Sequence, residues 1–170
     1  MLLVSCLSKE TEIKKEESFE SPISQNVRNL SNEQKEVALL VEKELDEIKI
    51  SKNIIAAAIV NAVAESELNP NAIGDKGKSV GLFQLHKNGL GNKLSIQERK
   101  SINISSNIIG IQILKDDRLF NRDIQGADIG ELTSIITEDI MRPREIEKEK
   151  NNRTNLAKML FPNRIKNGLK

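Results

Sequence analysis

The stretch Ile54 to Ala64 constrains this chain more than any other, because its only polar residue is Asn61. Ser51 is placed to cap a helix ahead of it. Asn69-Pro70 is placed to end that helix, since proline lacks a backbone donor and disfavours helical geometry at the residue before it. The spacing predicts a helix from Lys52 to about Leu68. A helix that is apolar nearly all round is a central one, enclosed by other elements. Those elements are legible in the remaining pattern. Ser31-Asn32 caps a helix over Glu33 to about Ile48, whose apolar face is Val37, Leu39, Leu40, Val41, Leu45 and Ile48. Three further helical stretches follow near Ile104 to Leu119, Ile129 to Met141 and Glu145 to Leu160, with Pro143 between the last two.

Between the central helix and these stretches, Gly74-Asp75-Lys76-Gly77 reads as a tight turn. It lies between the short pieces Ala72-Ile73 and Ser79-Val80, a small β-hairpin beside the helix end. The expected class is α+β, mostly α-helical with that hairpin. A chain of 170 residues can bury a real core in one domain. From Ser8 to about Asn32 it is too rich in Lys, Glu, Ser and Asn to repay the entropy of ordering. The expected boundaries are therefore a disordered or signal-like tail over residues 1–29, a domain over 30–165 and a short tail over 166–170. No apolar run is long enough to cross a membrane.

Lys and Arg number 26 against 25 Asp and Glu, so no global field recruits nucleic acid. With 4 Phe and neither Trp nor Tyr, stacking platforms for bases are not expected either. Cys6 is the only cysteine, which excludes an internal disulfide, and no Cys/His cluster has metal-ligand spacing. No metal or other cofactor is expected. Any function must come from a local site.

Glu65 lies four residues after Asn61, so both project from the same side of the central helix. Apolar surroundings favour the protonated form of a carboxyl, which suits Glu65 as a proton donor. The plainer reading of helix geometry alone is a helix-end carboxylate paired with a lysine. Glu67 points to a different side and reads as a solvated or capping carboxylate.

The segment Ala64 to His86, AESELNPNAIGDKGKSVGLFQLH, resembles the signature of the soluble lytic transglycosylases and phage virion lysozymes. In that signature a Glu-Ser pair ends a helix, an Asn-Pro break and a glycine-bearing hairpin follow, and Gly-Leu-Met/Phe-Gln closes the block. Gly81 stands about one residue further from Glu65 than is typical, which implies a slightly longer hairpin. Leu30-Ser31, Met141-Arg142-Pro143 and Leu160-Phe161-Pro162 extend the resemblance, with less specificity, towards virion-associated lysozymes.

The resemblance implies a lysozyme-like fold with the hairpin beside a catalytic cleft. Glu65 would be the general acid, with Ser66, Gln84, Gly81, Phe83 and Asn61 around the sugar, Gly81 allowing close backbone approach. The substrate would be bacterial peptidoglycan, cut between N-acetylmuramic acid and N-acetylglucosamine. Many lytic transglycosylases carry a late tyrosine motif; this chain has no tyrosine, which favours the phage-like branch.

Hydrolysis needs the developing oxocarbenium charge captured by water or a second carboxylate, whereas a lytic transglycosylase closes the muramyl 6-hydroxyl onto the same carbon. Asp75 on the hairpin and Glu138, with its neighbour Asp139, are the candidate second carboxylates. Their plainer readings are a turn-favoured Asp and a solvated acidic pair. His86, the only histidine, has no readable nucleophile or metal partner, and Ser66 has no triad.

The alternative class is a non-catalytic peptidoglycan-binding or virion structural protein that keeps this shape. A monomer is expected, in a phage virion beside other virion proteins or in a bacterial envelope. Met1 to Cys6 resembles the end of a lipoprotein signal. A working signal needs a charged start and an apolar stretch of roughly 7 to 15 residues, which do not fit ahead of Cys6. Membrane anchoring through Cys6 is thus expected only with a start further upstream.

Overall fold

The computed structural model of the chain describes residues 22–164. Cys6 and the rest of residues 1–21, with residues 165–170, lie outside the described part. Eight α-helices are described: α1 Ile23–Asn26, α2 Asn32–Glu47, α3 Lys52–Ser66, α4 Ile96–Lys100, α5 Ile102–Leu114, α6 Asp117–Ile124, α7 Ile129–Ile136 and α8 Ile146–Leu160. Three two-residue strands lie between α3 and α4: β1 Ile73–Gly74, β2 Ser79–Val80 and β3 Leu85–His86. The class is α+β, mostly helical with a small antiparallel sheet.

The helix at Ile54 to Ala64 is central, as its composition requires. Ser51 accepts from the Ile54 amide as N-cap, and every residue from Ile54 to Ala62 is buried. α7, α8 and α2 pack against α3, and α5 packs against α2. At its last turn α3 leaves the core again: Ala64 is exposed and Glu65 and Ser66 are half-buried, as Lys52 and Asn53 are at its first. Glu67 and Leu68 then take left-handed backbone conformations, with φ of 56° and 61°. The Glu67 amide returns to the Ala62 and Val63 carbonyls, and the α2 side chain of Gln34 donates to the Glu67 carbonyl at 3.0 Å. Glu67 is an exposed capping residue, as its position implied.

The structure departs from the expected layout in several places. Residues 22–29 belong to the domain rather than to the tail. Ile23 and Val27 are buried in the core, and the buried Glu42 carboxylate of α2 accepts from the Ile23 and Ser24 amides at 3.0 and 3.2 Å. These contacts supply the burial and the helix-end partner that composition did not reveal. The helix expected near Ile104 to Leu119 is two helices. Asp116 breaks it by accepting from the Leu119 amide at 3.0 Å, which caps α6. The stretch Ile129 to Met141 is α-helical only to Ile136 and widens into a π-helical turn over Thr137–Met141.

The expected hairpin is present but gains a third strand. β2 pairs with β1 (Ile73 opposite Val80) and with β3 (Ser79 opposite His86). The link between β2 and β3 is the Gly81-Leu82-Phe83-Gln84 turn, closed by the Gln84 amide on the Gly81 carbonyl at 3.1 Å. The buried Arg99 of α4 fastens the sheet, donating from Nη1 to the Lys78 and Leu85 carbonyls at 2.8 and 3.2 Å.

Candidate functional site around Glu65

The last turn of α3 brings Glu65 beside α8. Arg153 Nη2 donates to Glu65 Oε1 at 2.7 Å, the arginine side chain being 5% exposed and the glutamate 19%. Arg153 Nη1 donates to Asn61 Oδ1 at 2.9 Å, and Thr137 Oγ1 donates to the same oxygen at 3.0 Å. Asn61 Nδ2 in turn donates to the Ala57 and Thr133 carbonyls at 2.9 and 3.4 Å. A primary amide offers two donor hydrogens and two acceptor sites, so all four are used. One buried polar network therefore joins α3, the π-turn and α8, and Glu65 is its outermost member.

This geometry corrects two expectations. The walls beside Glu65 are not purely apolar, since a buried guanidinium stands against Oε1; the partner foreseen as a lysine is an arginine. Asn61 does not line a sugar site either. It is 0% exposed, and its amide is spent inside the protein.

Ser66 links the end of α3 to the turn between β2 and β3. Its one hydroxyl hydrogen is shared between the Ala62 and Leu82 carbonyls, 3.1 and 2.9 Å away, tying the end of α3 to the Gly81–Gln84 turn. The close approach expected at Gly81 exists, but to the protein itself. With φ of +84°, Gly81 is so near α4 that an added Cβ would lie 2.1 Å from the Arg99 carbonyl oxygen. Gln84 Nε2 donates to the Gly81 carbonyl at 2.9 Å, and Gln84 Oε1 abuts Gly74 of β1.

An open cleft of about 290 Å³ lies where β3, the Gly89 loop and the π-turn meet. Phe83, Gln84 and His86 line it, with Gln112, Asp139 and Met141 on the facing elements. Phe83 is nearly buried and forms part of its floor. Glu65, Ser66, Asn61 and Asp75 are not among the lining residues. Of the residues expected around the sugar, Phe83 and Gln84 line this cleft, and the Ser66 to Leu82 hydrogen bond joins the end of α3 to the turn that carries them. His86 lines the cleft and accepts from the Asn88 amide through Nδ1 at 3.2 Å, a local bond.

Neither candidate second carboxylate is idle. Asp75 is exposed and accepts from Ser79 Oγ at 2.6 Å within the hairpin, the local role that turns favour. Glu138 accepts from Lys150 Nζ and Arg118 Nη1, each at 3.2 Å. Hydrogen bonds from Lys150 first and Arg118 second hold the Glu138 carboxyl below the usual carboxylate value. Asp139 lines the cleft but is also paired with Arg118 at 3.1 Å. Among the described residues, no three His, Cys, Asp or Glu side chains gather in a group that could hold a metal ion.

Arg153 is the residue that sequence reasoning missed. It lies in the polar run Lys148 to Asn155, yet it precedes Ala157 by four positions and Leu160 by seven, and follows Ile146 by seven. Helical periodicity puts it on the buried face, and a charge at such a position was the available signal. Comparison with protein-family models, with curated proteins and with solved structures found no match.

Proposed function

We propose that this chain cleaves the glycan strands of bacterial peptidoglycan between N-acetylmuramic acid and N-acetylglucosamine, on a lysozyme-like domain with Glu65 as general acid. The observation that carries the reading is the placement of Glu65. It is a partly exposed carboxyl on the last turn of a helix whose middle is buried, and the next residue, Ser66, joins that turn to the Gly81–Gln84 turn at 2.9 Å. The order of parts matches the resemblance: helix end, Asn-Pro break, hairpin, glycine turn, glutamine.

In the proposed step Glu65 gives its proton to the glycosidic oxygen and the bond from that oxygen to the muramyl C1 breaks through an oxocarbenium-like state. Two completions balance. Water adds to C1 and returns a proton to Glu65, or the muramyl 6-hydroxyl adds to C1 and its proton passes to Glu65, leaving an anhydro ring. The prior engagement of Asp75 by Ser79 and of Glu138 by Lys150 and Arg118 favours the second, one-acid course.

The Glu65–Arg153 ion pair gives specific support to a second reading, a non-catalytic peptidoglycan-binding or virion structural protein in which the carboxylate is structural. Incubating the full chain with purified peptidoglycan separates them. The enzyme releases soluble glycan, whereas the binder only sediments with the wall. Glu65→Gln is expected to slow release by about 10² to 10⁴-fold, the scale of a general acid's contribution. Release at the parental rate by that variant removes Glu65 from the role.

A virion and a bacterial envelope both give access to this substrate, and the proposal holds for either. It involves the chain as a monomer, with no nucleic acid and no cofactor. Anchoring at Cys6 falls outside the described residues.

A further inference from the structure

The pairing of Glu65 with Arg153 has an unusual form. Arginine binds a carboxylate best with two parallel N–H donors, one to each oxygen. Here the fork is divided: Nη2 goes to Glu65 Oε1 at 2.7 Å and Nη1 goes to Asn61 Oδ1 at 2.9 Å. Arg153 Nε faces Glu149 Oε2 at 3.5 Å, too poorly aligned for a hydrogen bond. Glu65 Oε2 has no protein hydrogen-bond partner among the described residues.

Asn61 is what divides the fork. It is the single polar residue on the enclosed length of α3, and a buried amide is costly unless all its bonds are made. Its Oδ1 is aimed at Arg153 because Nδ2 is fixed by the Ala57 and Thr133 carbonyls and the other acceptor site is filled by Thr137 Oγ1. The single Thr137 hydroxyl hydrogen is shared between Asn61 Oδ1 and the Thr133 carbonyl, which lies 2.8 Å from Oγ1. The anchor is thus rigid and lies wholly inside the protein.

We propose that Arg153, steered by Asn61, is a positioning residue that fixes Oε1 of Glu65 and leaves Oε2 as the oxygen that carries the transferable proton. The inference rests on the reading of Glu65 as the acid. A carboxylic acid donates from one oxygen while the other accepts, so a guanidinium on Oε1 is compatible with donation from Oε2 and sets the rotation of the carboxyl plane. A bidentate pair would occupy both oxygens and block the step.

The test measures kcat and KM of the full chain and its variants on soluble, uncross-linked peptidoglycan strands, with folding checked by circular dichroism. Arg153→Ala is expected to lower kcat by about 10²-fold, the scale of a misplaced catalytic group, with little change in KM. Guanidinium added at low concentration is expected to restore part of that kcat in a variant whose circular dichroism already matches the parent's, so that refolding is not the source of the gain. Arg153→Lys, which puts a point charge in place of the planar divided fork, is expected to fall between parent and Arg153→Ala. It carries the test if Arg153→Ala does not fold.

A folded Arg153→Ala or Arg153→Lys with parental kcat, beside an inactive Glu65→Gln, overturns the inference and spares the acid. A deficit lying wholly in KM overturns it as well. Parental activity in Glu65→Gln instead removes the acid on which the inference rests.

Discussion

At Gly81 a single hydrogen atom stands where any other residue would put a carbon 2.1 Å from the Arg99 carbonyl oxygen, with the backbone at φ +84°. Gly81→Ala therefore has to move α4 or the turn as well as bear a left-handed alanine. A loss of at least about 1–3 kcal/mol in urea unfolding is expected; unchanged stability would mean that the close approach does not exist. The surface charge of Glu138 makes a second prediction. Its carboxyl titrates lower when folded than when unfolded, so its pairs with Lys150 and Arg118 stabilise the fold above the ordinary value of 4.5 and lose that effect as pH falls through the lowered folded value. Glu138→Gln should melt slightly below the parent at pH 7, and the gap should close in acid. A gap that widens in acid contradicts the assignment. Residues also mark where reading from sequence stops. The place of Glu65 and Ser66 at the end of α3 was legible because a helix end, a proline and a glycine turn are local signals. Asn61 was misread because its four partners come from Ala57, Thr133, Thr137 and Arg153, three of them more than seventy positions away in the chain.

Among the elements, α2, α3 and α8 were legible within a residue or two, since α2 and α8 have periodic apolar faces, α3 is a continuous apolar run, and each is bounded by a cap or a proline. The elements that escaped are short or depend on distant partners. α4 has five residues behind a Ser95–Glu98 capping box, β3 is two residues paired to β2, and α1 is four residues with no side-chain cap of its own. For α1 the missing cap is supplied across space by Glu42, which is itself paired with Lys52 at 3.1 Å. Glu42→Ala should consequently speed amide exchange at Ile23 and Ser24 far more than at Ile54 to Ala62. Uniform acceleration would show that Glu42 supports the whole core instead. The π-turn at Thr137–Met141 was invisible to periodicity because it departs from the α repeat only over its last five residues. That departure matters, since the turn begins at the residue whose hydroxyl holds Asn61.

For the molecule as a whole, the domain begins before Leu30. Ile23 and Val27 are 0% and 2% exposed, and Leu160, at the other end of the domain, accepts from the Arg28 amide at 3.0 Å. Burial of two such side chains contributes about 3–6 kcal/mol, at about 1.5–3 each. A chain begun at Leu30 should therefore lose a large share of the roughly 5–15 kcal/mol typical of a domain. Equal unfolding midpoints for that chain and the full one would return residues 22–29 to the tail. Domain closure at both ends steadies the platform on which α3, α8 and the sheet hold Glu65. The most direct measurement of the central claim is mass spectrometry of the material released from purified peptidoglycan by the parent and by Glu65→Gln. The account expects the parent to release muropeptides cut on the C1 side of muramic acid, carrying anhydro-muramyl ends, and the variant to release almost none. Equal release by both proteins, or no release by the parent, would contradict it.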